Sequence, residues 1–145
     1  MQFLELLQNN PTACYLTVAF LSLCIGSFLN VVIFRTPKMM EQEWHTECQM
    51  LLHPEQAIID HEKLTLSKPA STCPKCQKKI RWYQNIPVIS WLVLRGKCGT
   101  CQNPISLRYP FIELLTMLCS LTVVAVFGPT LQMVAGLILT WVLIA

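Results

Sequence analysis

The sequence predicts an α-helical integral membrane protein with three transmembrane helices, the third truncated, and a small cytoplasmic insertion of the four-cysteine, zinc-ribbon-like kind. Composition indicates the membrane class, because 53% of the 145 residues are hydrophobic and only 13% are charged, which is too apolar for an ordinary soluble domain of this length. Two C-x-x-C pairs in a basic segment between the apolar stretches indicate the insertion.

The first predicted transmembrane helix covers residues 13–34, with residues 1–12 before it. Its sequence "CYLTVAFLSLCIGSFLNVVIF" contains no charge, and a helix needs about 20 residues to cross the hydrocarbon layer. Ser22, Gly26 and Asn30 recur every four positions and therefore share one helix face. Small residues allow helices to approach closely, so this face is predicted to pack against another helix, where Asn30 finds a polar partner.

The C-terminal apolar stretch predicts two further transmembrane segments. No charge occurs in the 32 residues from Leu114 to Ala145, which are interrupted by Gly128-Pro129, a pair that punctuates helices. The second transmembrane helix is predicted at 110–127 and the start of the third at 131–145. Only 15 residues follow Thr130, fewer than the roughly 20 that a span needs, so the sequence is expected to continue beyond Ala145.

The positive residues predict the orientation in the membrane. All 11 Lys and Arg residues lie between Arg35 and Arg108, and short cytoplasmic loops carry an excess of these residues. Residues 35–109 are therefore predicted to face the cytoplasm, and the N-terminus and the 128–130 turn to face the periplasm. The basic region that precedes the apolar core of a cleaved signal peptide is absent, so the first span is predicted to be a permanent anchor.

A zinc module is predicted at residues 70–105. A cytoplasmic loop lies in a reducing compartment, where paired thiols hold metal more often than they form disulfides. Two C-x-x-C pairs supply the four sulfur ligands of a closed zinc site, which leaves no open position for water, so the metal's role is predicted to be structural. The alternative is thiols without metal. The candidate ligands are Cys73, Cys76, Cys98 and Cys101.

The segment after the first span predicts an amphipathic helix at 39–53 that packs on the membrane surface or on the zinc module. The residues of its apolar stripe are Met40, Trp44, Cys48 and Leu51. His45, Cys48 and His53 are considered as a second metal cluster, but their spacings of three and five residues do not place all three on one helical face.

Basic and aromatic residues are interleaved in the insertion, which can indicate nucleic-acid binding. The cytoplasmic leaflet is the simpler partner, because anionic lipid attracts Lys and Arg and the interface favours Trp and Tyr. The lipid bilayer is therefore predicted as the partner, and nucleic acid is not. Between the cysteine pairs, "KIRWY" and "VISWLVL" predict two short strands around a "QNIP" turn.

Glu113 lies in the first turn of the second predicted transmembrane helix, after Pro110. Two interpretations remain open for this residue. It could stabilise the helix start, because the helix dipole favours a carboxylate there, or it could be an acid at a membrane-level site.

Four stretches, in this order and spacing, resemble the N-terminal part of the bacterial type IV prepilin peptidases: "GSFLNVVIFR", "CPKC", "NIPVISWLVLRGKCGTC" and "ISLRYPFIELLT". The resemblance runs from about Cys14 to the end of the chain. It implies a multi-pass aspartic peptidase of the bacterial inner membrane. Such an enzyme cuts the basic leader from type IV prepilins, and from the pseudopilins of type II secretion, on the cytoplasmic side and then methylates the new N-terminus.

The resemblance also implies where the chemistry lies. The family's two catalytic aspartates follow the third span, so they are expected beyond Ala145; Asp60 is the chain's one aspartate, and the 145 residues alone are expected to be inactive as a peptidase. The implied methyl donor is S-adenosylmethionine. No glycine-rich fingerprint locates its pocket, and Gly96 and Glu113 are the candidates by resemblance.

Two other function classes are considered. A non-catalytic, membrane-anchored zinc module that scaffolds or recruits partners through its basic loop remains the alternative. A thiol oxidoreductase is disfavoured, because neither C-x-x-C pair opens a helix in a βαβ setting.

Overall fold

The computed structural model describes residues 10–52, 64–68, 70–73, 75–80 and 86–145. Within these ranges the chain is helical, with two isolated β-bridges and no strand. The helices are α1 (Pro11–Leu52), α2 (Ile89–Val93), α3 (Arg108–Phe127) and α4 (Leu131–Ile144). Of the described helices, α1 and α3 are long and apolar enough to cross a membrane, and α4 is an apolar helix of 14 residues.

Helix α1 is continuous over 42 residues, with Pro37 inside it. The sequence predicted two separate helices here, 13–34 and 39–53. A proline removes one hydrogen bond of the helix, but no glycine or second breaker accompanies Pro37, so the helix runs on. Met40, Trp44 and Leu51 are exposed, so the described chain does not pack this stripe on the zinc module. Its contact with the membrane surface stays a prediction, and His53 lies outside the described residues.

The face of α1 predicted to pack against another helix does pack, against α3. Ser22, Gly26 and Asn30 are all buried, and a Cβ on Gly26 would lie only 2.8 Å from the Cα of Glu113. Such a distance leaves room for glycine alone. The two helix backbones are therefore close together at the level of Glu113.

Within the described part of the chain, the polar side chains of this interface are hydrogen-bonded. The buried hydroxyls of Ser22 and Thr116 donate to carbonyl oxygens of their own helices, at 2.6 and 2.8 Å. Asn30 donates through Nδ2 to the carbonyl oxygen of Tyr109 at 3.0 Å, which is the polar partner expected for it. A hydrogen bond of this kind contributes about 1 kcal/mol and also fixes the register of the pair.

Helix α4 completes the helical layer by folding back on α3 after Gly128. The hydroxyl oxygen of Thr130 caps α4 by accepting from the Met133 N–H, as expected of a threonine at a helix start. Trp141 Nε1 donates to Ser120 Oγ at 3.0 Å. The apolar core of this end comprises Cys14, Val18, Val124 and Leu137.

The predicted strand "VISWLVL" is wrong. Its residues form the short helix α2, Ile89–Val93, followed by a turn in which the Gly96 N–H donates to the Trp91 carbonyl oxygen. A short apolar run is ambiguous between helix and strand, and here no partner strand is described. Residues 81–83 of "KIRWY" lie outside the described residues.

Candidate metal centre and the adjoining cavity

The two cysteine pairs form matching knuckles 25 residues apart, each with the pattern C-x-x-C-Q-x-x-I. In the first, the Cys73 N–H donates to the Lys78 carbonyl oxygen at 3.0 Å; in the second, the Cys98 N–H donates to the Asn103 carbonyl oxygen at 2.8 Å. One antiparallel bridge closes each knuckle, Thr72 to Lys79 and Lys97 to Pro104. The repeat is visible in the sequence once the two pairs are aligned, but it was not among the predicted features.

Each knuckle turns through a residue with left-handed backbone. Gln77 has φ 53° and Gln102 has φ 57°, a conformation uncommon in residues other than glycine. The N–H of each Gln donates to the carbonyl oxygen of the first cysteine of its knuckle, at 2.9 and 3.0 Å. This bond holds the turn that brings the two thiols of the pair to the same side.

The four predicted ligands converge on one point. Their sulfur atoms all lie within 4.8 Å of one another, and the Sγ atoms of Cys73 and Cys101 are 3.7 Å apart. A tetrahedral zinc site with Zn–S bonds of about 2.3 Å has S···S edges of about 3.8 Å. All four are free thiols, not disulfides. The arrangement could therefore hold a metal ion with the full ligand set of a closed structural site.

Backbone N–H groups inside the knuckles make the first thiol of each pair more acidic. The Cys76 N–H is the largest influence on Cys73 and lowers its pKa to about 6, and the Cys101 N–H lowers the pKa of Cys98. At Cys101 the Asn103 N–H lowers the pKa, but burial and the three neighbouring thiols outweigh it and raise the pKa to about 11. Thiolates are the metal-binding form of cysteine. Each knuckle therefore favours the metal-binding form at its first cysteine.

The remaining cysteines lie away from this centre. Cys14 is buried in the apolar core, Cys119 lies on α3, and Cys24 and Cys48 are exposed on α1. Within the described chain, the one cluster able to hold a metal is the four-thiol centre.

A cavity of about 570 Å³ separates the metal centre from the α1–α3 pair. Cys73 and Cys98 of the metal centre line it together with Asn30 of α1 and Glu113 of α3. No local sequence pattern indicates this cavity, because its walls come from segments far apart along the chain.

Glu113 bridges the helix pair and the zinc module. It is 6% exposed, and its Oε2 accepts the Val88 N–H at 2.7 Å, with the Ser27 side chain beside the carboxyl. Val88 has φ 56°, a strained conformation for a β-branched residue. The contact therefore stabilises an unfavourable backbone turn at the start of α2.

Gly96, the other residue considered for the methyl donor, lies behind the cavity wall. It has φ 67°, and a Cβ there would lie 2.7 Å from Cζ2 of the Trp91 indole. Trp91 lines the cavity and donates through Nε1 to the Ile105 carbonyl oxygen at 3.4 Å. Gly96 thus positions an aromatic wall residue.

Arg35, which lines the cavity, connects α1 to the segment at residues 64–68. Its NH1 donates to the carbonyl oxygens of Thr65 at 2.8 Å and Leu66 at 3.3 Å. Lys38, one helical turn further on, lies 4.0 Å from the centre of the Phe34 ring.

Comparison with known proteins relates this arrangement to a family. The family model described as the bacterial peptidase A24 N-terminal domain matches residues 20–127. A prepilin leader peptidase/N-methyltransferase of Aeromonas hydrophila is 46% identical over 142 residues, covering 98% of this chain and 49% of the relative. The protein of that name from Legionella pneumophila is 44% identical over 140 residues, covering 97% and 48%.

A third relative of the same name, from Neisseria gonorrhoeae, is 49% identical over 129 residues, covering 88% of this chain and 44% of its own length. The chain spans about half the length of the curated relatives it matches. No solved structure matches the chain.

Proposed function

The chain belongs to the bacterial peptidase A24 N-terminal domain family, and from this we propose that it forms the N-terminal part of a prepilin peptidase of the bacterial inner membrane. The whole enzyme removes the leader from type IV prepilins and pseudopilins on the cytoplasmic side and methylates the new N-terminus. The observation that carries the proposal is that the matched region, residues 20–127, contains most of α1, all of α3 and all four clustered thiols.

The proposed topology has three transmembrane helices, with α4 as the beginning of the third. The N-terminus and the α3–α4 turn face the periplasm, and residues 35–109 face the cytoplasm. The exclusive location of Lys and Arg between Arg35 and Arg108 supports this orientation.

The proposed metal is a structural zinc held by Cys73, Cys76, Cys98 and Cys101. Four thiolates leave no open coordination position, so the ion supplies folding energy to the module and no catalytic water. The module then forms a cytoplasmic cap over the start of α3 and the middle of α1, because Cys73 and Cys98 share the cavity with Asn30 and Glu113.

The peptidase chemistry requires a pair of carboxylates that share a proton, so that one activates water while the other protonates the leaving amine. Asp60 is the one aspartate in the chain, and Glu113 is occupied by the Val88 N–H. We place the catalytic aspartates in the half of the relatives that this chain does not match.

A cleavage assay tests whether the catalytic aspartates lie outside these 145 residues. A prepilin with a basic leader is incubated in detergent or lipid with the 145-residue chain, and in parallel with the full-length Aeromonas hydrophila relative as the positive control. The expected result is cleavage by the relative and none by the chain. Cleavage by the chain alone would show that the inferred aspartic mechanism is wrong, and Glu113 with the zinc site would have to be reconsidered as catalytic.

The alternative, a zinc module that recruits partners without catalysis, is favoured by the exposure of Lys75, Lys78, Lys79 and Lys97 around the knuckles. The two functions differ in methyl-donor binding, which a scaffold does not need.

A further inference from the structure

The last part of α1, from Arg35 to Leu52, carries an apolar stripe that no other described element covers. Met40, Trp44 and Leu51 are 45%, 62% and 83% exposed, and their spacings of four and seven residues place them on one helix face. This part of the helix rises about 25 Å and is cytoplasmic in the proposed topology. A contiguous exposed apolar stripe, unlike single exposed apolar residues, indicates a contact surface.

A groove follows the stripe from the membrane boundary outward. Its volume is about 480 Å³, and Ile33, Thr36, Met40 and Trp44 are among the residues that line it. Ile33 lies in the predicted transmembrane part of α1, and Trp44 lies about 16 Å further along the helix axis. The groove therefore begins at the membrane and opens on the side that we propose to be cytoplasmic.

Carboxylates flank this stripe on both sides. Glu43 and Glu47 are one helical turn apart on one side of Trp44, and Glu41 lies on its other side. All three are exposed. Because residues 41–52 contain no Lys or Arg, their formal charge is −3 with the histidine neutral. The face thus combines apolar contact area with a concentrated negative charge.

We propose that this face of α1 is the docking surface for the basic leader of the prepilin. The inference rests on the proposed peptidase function and assigns recognition of the leader's charge to this chain. Lysine and arginine bury their aliphatic stems along apolar surface and keep their charged heads in water, and a cation is attracted to the face of a tryptophan. Met40 and Trp44 therefore suit the stems of a basic peptide, and Glu43 and Glu47 suit its charges.

Charge distinguishes the leader from other occupants of the stripe. The cytoplasmic leaflet is anionic, so it repels a helix face with three carboxylates. In a symmetric dimer the same patch meets itself, which would bring like charges together. Among the described residues, the exposed carboxylates all lie on α1, whereas the exposed residues around the knuckles are basic and repel the leader. These basic residues are Lys75, Lys78, Lys79 and Lys97.

Titration of a leader peptide with the purified chain tests this assignment. A synthetic peptide with the sequence of a prepilin leader carries an uncharged fluorophore, and fluorescence anisotropy gives its Kd for the chain in nanodiscs of neutral lipid. A second peptide has Gln in place of each Lys and Arg of the leader. Neutral lipid is used so that the leader does not bind the bilayer itself.

The variants separate charge from apolar contact. Glu43→Gln combined with Glu47→Gln removes two carboxylates from the face, and Glu55→Gln combined with Glu62→Gln is the matched control, which removes two charges beyond the end of α1. Trp44→Ala removes the indole, and Trp44→Phe keeps an aromatic ring.

The Glu43→Gln, Glu47→Gln variant is expected to bind the leader about fivefold more weakly at low salt, since it loses two exposed charge pairs. This difference should shrink at about 0.3 M salt, where exposed charges are screened. Trp44→Ala should lose about fivefold at both salt concentrations, because an aromatic anchor supplies apolar contact, and Trp44→Phe should restore most of the affinity. The control should agree with wild type within about twofold at either salt concentration.

The peptide with Gln in place of its basic residues should bind wild type at least about tenfold more weakly than the leader at low salt. It should also be insensitive to the loss of Glu43 and Glu47. Unchanged zinc content and unchanged helicity by circular dichroism show that each variant is folded, as expected for substitutions at exposed positions.

Three results would overturn the inference. If the control weakens leader binding as much as the Glu43→Gln, Glu47→Gln variant, the leader responds to net charge and not to this face. If the variants at residues 43, 44 and 47 all bind the leader as wild type does, the leader docks elsewhere and the stripe serves the bilayer, a second copy or another partner. If wild type does not bind the leader, this chain does not recognise it. The peptidase proposal stands in each case, because prepilin cleavage tests it separately.

Discussion

Replacing Gly26 by alanine should loosen the α1–α3 pair, and the structure gives the size of the effect. The added Cβ would lie 2.8 Å from the Cα of Glu113, 3.1 Å from Thr116 Oγ1 and 3.2 Å from Thr116 Cβ. The first of these atoms is backbone, so no change of rotamer relieves it. The two helices have to separate by about 0.6 Å to restore an ordinary contact of about 3.4 Å.

That separation would also lengthen the hydrogen bond of 3.0 Å between Asn30 and Tyr109. It would loosen the packing around the hydroxyls buried between the helices. Overpacking of this kind costs about 1–3 kcal/mol. The helix preference of alanine over glycine offsets at most about 1 kcal/mol of it. We expect a net loss of about 1–2 kcal/mol, which lowers the unfolding temperature by about 3–6 °C.

Gly136→Ala is the matched control, because its Cβ would meet Val123 Cγ1 at 3.0 Å, the end of a side chain that can move. Thermal unfolding in detergent, followed by circular dichroism, measures both variants. Gly136→Ala should be within about 1 kcal/mol of wild type, since the helix-preference gain opposes a mild contact. A Gly26→Ala chain as stable as the control would refute the inference that close backbone approach holds this interface together.

The other predictions concern metal and membrane topology. Purified, mildly reduced protein should contain about one zinc per chain by elemental analysis, and Cys73→Ser should lose it; a folded wild type without metal would contradict the assignment. Retained zinc should fall as the pH is lowered, because protons compete with the ion for the thiolates, including that of Cys73 with its pKa of about 6. Reporter fusions at Asn9 and Thr130 should give periplasmic signals and a fusion at Lys68 a cytoplasmic one. A periplasmic signal at Lys68 would overturn both the orientation and the reducing environment assumed for the thiols.

Local sequence patterns were sufficient for several features. The convergence of the four thiols was predictable because two C-x-x-C pairs are close-range signals, and each knuckle is closed by bonds between near neighbours, such as Gln77 to Cys73. The packing face of α1 followed from a four-residue period of small side chains. Gly128-Pro129 separated α3 from α4, because the chain reverses where a glycine and a proline interrupt an apolar run.

Patterns of the same kind failed where competing local structures have similar energies. Two separate helices were predicted at 13–34 and 39–53, yet α1 continues to Leu52, because the one hydrogen bond lost at Pro37 does not outweigh the helical preference of the residues on either side. "VISWLVL" has strand-forming residues, but its N-terminal end is held by the Val88 to Glu113 contact and its C-terminal end by the turn at Gly96. A short apolar run takes the conformation that such contacts stabilise.

By itself, the sequence determined that this is a helical membrane protein with four clustered thiols, because composition, hydrophobic length and motif spacing are properties of the chain alone. Only the tertiary structure shows what surrounds Glu113. Its two interpretations, a helix-start carboxylate or an acid at a site, depend on what surrounds it, and Val88, Ser27 and the cavity come from other segments of the chain. The cost of burying a carboxylate is set by those distant neighbours, so no local pattern could have chosen between the two.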